Sequence, residues 1–152
     1  MRWILSVASL AAALAAPAHA QAPSAKQEAE LLAAGYKPMA GAQINQLLLG
    51  NTMHALFLAK VGDAPAGTVV KIFYRDSRVR ISVPQSGPQA GKKFESNWWI
   101  EGDLACSEQR LVNVGHTCSS VYQVGPVYYS CLKPAGDCLF QLRIVPGNPD
   151  KI

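Results

Sequence analysis

The chain has no cysteine pair at C-x-x-C spacing, no Gly-x-Ser-x-Gly elbow, no internal repeat and no apolar run long enough to cross a bilayer. Each absence removes a class of protein. Without C-x-x-C there is neither a thioredoxin-like redox pair nor the usual zinc knuckle. Without the elbow there is no α/β-hydrolase nucleophile. The longest apolar run, Trp3 to Ala16, falls short of the roughly 20 residues a membrane helix needs. Charged residues make up only 16% of the chain, and they alternate with apolar residues instead of forming a block, which argues against a nucleic-acid partner.

What is present at the start is a leader. Arg2, the apolar run and then Pro17-Ala18-His19-Ala20 have the pattern of a secretory signal peptide cut after Ala20, leaving Gln21 as the first mature residue. No cysteine near that point could take a lipid. Export to the periplasm or medium follows as an expectation, with no transmembrane segment. Residues 21-152 then form one expected domain, large enough for its own core. The whole chain has a net charge of +4, of which Arg2 leaves with the leader, so the mature product is mildly basic at about +3.

In an oxidising compartment the four cysteines, Cys106, Cys118, Cys131 and Cys138, are expected to pair. Three connectivities are possible and spacing alone does not choose among them. Local geometry favours one. If Tyr128 to Leu132 and Cys138 to Ile144 are the arms of a hairpin turning through Pro134 and Gly136, Cys131 and Cys138 stand nearly opposite each other. By the same reasoning Cys106 ends one strand and Cys118 begins the next. His116 and Cys118 offer two potential metal ligands, but no second pair matches them, so neither a metal nor another cofactor is expected.

Helical signals come first along the mature chain. Ser24 and Gln27 have capping-box spacing ahead of Leu31, Leu32 and Ala34, with Gly35 able to close the helix. A second helix is expected over 40–49, carried by Ile44, Leu47 and Leu48, and Gly41 weakens its start. From Asn51 the period changes to two. Seven strands are expected, in "NTMHALFLAK", "TVVKIFYR", "RVRISVP", "FESNWWIEG", "SSVYQV", "VYYSCL" and "CLFQLRIV". The second and third should form a hairpin across Asp76-Ser77. The predicted fold is α+β: one or two N-terminal helices, over about 24–49, packed on an antiparallel meander that closes into a small barrel or a strongly curved sheet.

The segments "INQLLLGNT", "GDLACSE", "TCSSVY" and the closing "LFQLRIVPGNPDKI", in that order around a Trp strand, resemble the DUF995-like group of small exported alphaproteobacterial proteins. The likeness runs from about Ile44 to the C-terminus. It differs in having Asp76-Ser77 where that group's hairpin would carry Asp-Gly, and in the added pair Cys131 and Cys138. The resemblance implies a secreted β-rich scaffold and no catalytic residues.

Candidates for chemistry are sparse. His116 lies near Ser119 and Ser120 without an orienting carboxylate, His54 alternates along a strand as a boundary residue, and Glu95, Glu101 and Asp103 suit solvated turns better than a glycosidase pair. Binding suits the scaffold better. Trp98 and Trp99 are adjacent on a strand, so one points in and the other out, and the pattern puts Trp99 outward as a candidate contact. Arg78 and Arg80, joined by Lys71 across the hairpin, form a candidate cationic face for an anionic envelope partner. The expected role is a non-enzymatic binding module of the bacterial cell envelope. The alternatives are an inhibitor of an envelope-directed enzyme such as a lysozyme, or an enzyme of unassigned type. A deep pocket, a protruding rigid loop and a cleft of converging titratable groups would mark the three respectively.

Overall fold

A computed structural model of the chain describes Ser24, residues 26–110 and residues 115–152. The predicted leader lies outside the described residues. A two-residue strand and two helices precede the main run of a sheet in which every described strand runs antiparallel to its neighbours. The elements are β1 (Lys26–Gln27), α1 (Glu28–Ala33), α2 (Gly41–Leu48), β2 (Thr52–Phe57), β3 (Val69–Tyr74), β4 (Val79–Pro84), β5 (Phe94–Glu101), β6 (Leu104–Glu108), β7 (His116–Val124), β8 (Val127–Leu132) and β9 (Asp137–Val145).

Strands β2 to β9 pair in chain order, and β9 pairs again with β2, so the meander closes into an eight-stranded barrel. Closure leaves none of these eight strands as a free edge. The pairing of β9 with β2 runs from Val145 opposite Thr52 to Phe140 opposite Phe57. Beyond Phe140, β1 takes over, setting Lys26 against Cys138 and Gln27 against Asp137. Sequence pattern located seven of the eight barrel strands and missed β6 as a separate strand. Its inward residues, Ala105 and Ser107, are small or polar, so it lacks the apolar alternation that marks a half-buried strand.

The β3–β4 hairpin forms as expected. Asp76 Oδ1 accepts from the backbone N–H groups of Arg78 and Val79, both at 2.8 Å. That Asx turn replaces the Asp-Gly type and holds the Asp76 carboxyl below its ordinary range.

The first helix starts later than its sequence suggests. Residues 26 and 27 are held in β1, so α1 begins at Glu28 with Gln27 as its N-cap and no side-chain cap, and the Ser24 capping box does not form. Its end is as expected. Gly35 takes φ +86°, with Gly35 N–H donating to Leu32 O and Tyr36 N–H to Leu31 O, a Schellman closure.

Helix α2 covers one end of the barrel, placing Ile44 and Leu48 in the core with Met53, Ile72, Tyr74 and Trp98. Gly41, a weakness for the helix, is required for this docking. A Cβ there would stand 2.1 Å from the Gly102 carbonyl oxygen, while the Gly41 N–H donates to Asp103 Oδ1 at 2.8 Å.

A second, smaller core lies outside the barrel wall, where Leu31 of α1 packs on Tyr122, Tyr129 and the Cys131–Cys138 disulfide. Both expected disulfides are present, each joining register partners, Cys106 with Cys118 and Cys131 with Cys138.

Candidate functional site: the barrel interior

Alternation along each strand decides what enters the barrel. From β9, β2 and β3 the inward side chains are apolar, chiefly Phe140, Leu142, Met53, Ala55, Phe57, Val70 and Ile72. From the next five strands the same level is polar. One serine comes from each, Ser82, Ser96, Ser107, Ser119 and Ser130. The interior is therefore two-faced, with an aliphatic and aromatic wall opposite a hydroxyl wall. Between them the barrel is incompletely filled, leaving a cavity of about 80 Å³ of space open to the centre of a water molecule.

Arg80 projects into this cavity from β4 and is only 6% exposed. Its Nε donates to Ser96 Oγ at 3.1 Å, and its Nη2 donates to the Glu108 carbonyl at 2.7 Å and to Gln109 Oε1 at 3.3 Å. Gln109 is in turn fixed by donating to Ser107 Oγ and Thr117 Oγ1. All these acceptors are uncharged. Among the described residues no carboxylate forms an ion pair with Arg80. Burial pushes the neighbouring Tyr74 phenol up, and the Arg80 cation opposes that shift.

Trp98 completes the floor of this interior. It is 2% exposed, meets Tyr74 edge to face at 4.8 Å, and donates from Nε1 to the Asp76 carbonyl at 2.8 Å.

This geometry corrects one expectation about the cationic face. Val79, Ile81 and Val83 alternate with Arg80 along β4, and the side that carries Arg80 is not the outer one. Arg80 faces the interior, and its β-branched neighbours face out. Arg78 is exposed in the turn ahead of β4, and Lys71 lies on the outer wall opposite Val83, paired with Asp150 at 2.8 Å. The three cations share no face.

Trp99 does face outward. It is half-buried beside Cys106 in register, with Nε1 3.5 Å from Glu101 Oε2 and its ring 6.1 Å from that of His116.

The other candidates are dispersed. Ser119 is inside the barrel and His116 is exposed outside. Glu95 pairs with Arg75, and Asp103 holds the start of α2. Glu101 comes close to the sulfurs of Cys106 and Cys118, but these are bonded to each other and cannot serve as thiolate ligands. His54 sits on the outer wall between Lys71 and Arg143, where burial first and those cations next hold its imidazole below the ordinary value of 6.5, against the pull of Asp150.

No family model, no curated protein and no solved structure matches this chain. What can be said of its function rests on the barrel itself.

Proposed function

We propose that the protein is an exported binding module of the bacterial cell envelope whose ligand site is the barrel interior. The observation that carries this reading is the unfilled, two-faced cavity. Protein interiors normally pack to the density of organic crystals, whereas here five strands contribute serines to a space that larger apolar residues would fill. Binding is favoured over catalysis by the same lining. Among the described residues it includes Arg80, Arg110 and Tyr74 but no carboxylate and no histidine, so no acid–base pair converges there.

Two cystines and the absence of any described helix able to cross a membrane suit export, with the leader removed after Ala20 and the periplasm as the destination. Intact-mass analysis of exported material should give an N-terminus at Gln21; retention of Met1 would refute the export reading. Membership of the DUF995-like group is part of this proposal.

The interior is tested with neutral probes. Benzyl alcohol and hexanol, titrated into isotope-labelled protein, should shift the methyl signals of Met53 and Ala55 saturably. Ser119→Phe, which fills the cavity at a cost of about 1 to 3 kcal/mol in stability, should abolish those shifts while the protein stays folded. Unchanged methyl signals in the wild type would remove the interior as a ligand site.

A further inference from the structure

We infer that the ligand of the barrel interior is a small amphiphilic monoanion, an organic acid whose carboxylate meets Arg80 and whose apolar part lies against Met53, Phe57 and Leu142. The inference rests on the reading of the interior as the binding site and adds the chemistry of what enters it.

A guanidinium taken out of water loses hydration that neutral hydrogen bonds only partly replace, and such groups are normally found paired. Arg80 is 6% exposed and its hydrogen bonds go to a serine, a carbonyl and an amide. That arrangement fixes the guanidinium and supplies no countercharge. A planar fork of five N–H donors matches a carboxylate in both shape and charge. The serines beside it add donors suited to the same group, whereas the wall built from β9, β2 and β3 is apolar apart from the Tyr74 hydroxyl.

Size narrows the class. A water molecule occupies about 10 to 15 Å³ on the scale that gives the cavity 80 Å³, so the space holds the equivalent of about five to eight waters. A short aliphatic or single-ring acid fits that bound; a long-chain fatty acid does not. A dianion would bring a second charge that the described lining does not match, since the only other cation there, Arg110, is exposed and pairs with Glu108.

The test compares matched probes on the full mature protein by calorimetry and by methyl NMR. Benzoate and hexanoate at neutral pH should bind at least tenfold more tightly than benzyl alcohol and hexanol, the margin expected of one charge-assisted pair. Arg80→Met should erase that margin and leave the alcohols bound; Arg80→Lys should retain part of it, which controls for a variant that merely unfolds. Inorganic phosphate should not displace benzoate. Alcohols binding as well as the acids would overturn the anion inference while leaving the interior as the site. Binding of neither series would overturn both, and phosphate binding in preference to the acids would replace the amphiphile with an inorganic anion.

Discussion

Two charged side chains in this protein have left most of their water behind, and their surroundings differ. Glu28, whose side chain is 12% exposed, begins α1 and is engaged from several sides. It pairs with Lys133 Nζ and accepts from the Tyr122 hydroxyl at 2.7 Å. Burial alone would raise its carboxyl, but the bonds from Lys133, Tyr122 and Ser120 outweigh that and hold it below 4.5. Arg80, inside the barrel, has hydrogen bonds but, among the described residues, no countercharge. Glu28 is built as a fastening, locking α1 to the outer wall over β7 and β8. Arg80 is fixed in direction and, among the described residues, unneutralised. A buried charge with its partner in the chain serves the fold; one without such a partner among the described residues is the feature on which the proposed anion site rests.

The comparison is tested most strongly at the paired tryptophans, which separate the inner wall from the outer. Trp98→Ala should cost about 3 to 5 kcal/mol in chemical denaturation, because it empties a site walled by Tyr74 and Ile44, whereas Trp99→Ala should cost less than about 1 kcal/mol. Equal losses would mean that the outer wall carries as much packing as the inner one. The two charges come next. Glu28→Ala should cost about 1 to 3 kcal/mol by leaving Tyr122 and Lys133 without their acceptor. Arg80→Met should change stability by no more than about 1 kcal/mol in either direction, since removing an unneutralised buried cation relieves as much as it loosens. An Arg80 variant that unfolds the protein would move Arg80 to the side of the fastenings.

The smallest expected effect is in the pH dependence. A group whose folded value is lowered binds its proton less well than in the unfolded chain, so its stabilisation is present above the unfolded value and fades as pH falls through the folded one. His54 should therefore give a loss beginning below 6.5, and Glu28 a further loss beginning below 4.5. Glu28→Gln should reduce the lower limb, to which the Asp76 and Glu108 carboxyls, also held low by their hydrogen bonds, contribute as well, and leave the upper limb in thermal melts taken across this range; Arg80→Met should leave both limbs. A lower limb unchanged by Glu28→Gln would separate that carboxyl from the acid response.

Much of the frame was legible in the sequence because it rests on local rules. The hairpin through Pro134 and Gly136, the hairpin across Asp76-Ser77, the Gly35 stop and the inward Trp98 each follow from a few neighbouring residues. The interior was not legible, because period-two alternation states which residues share a face and not which face is inside. In β4 the pattern puts Arg80 on a cationic face open to a partner, and closure of the barrel turns that side inward. The available signal was a serine at the same inward level in "RISVP", "FESNW", "ACSE", "TCSSV" and "YYSCL". Serine in a strand reads as solvent-facing until it recurs on five strands in succession. Likewise Gly41 reads as a helix weakness until the Gly102 carbonyl stands against it.

The two cystines and the barrel seam impose very different demands on the folding chain. The disulfides join residues 12 and 7 positions apart, so each can be made by encounters within a single hairpin, before any distant segment has arrived. The seam between β2 and β9 brings together Thr52 and Val145, 93 positions apart. Contacts of that separation are the slow ones to form. Oxidation should thus be a local event that precedes closure, and mispairing across the hairpins should be rare without help from an isomerase. In pulse-labelled hydrogen exchange during refolding, the amides of β7 and β8 should gain protection before those of β2; the reverse order would mean that the ring closes first and the staples are set into a finished wall.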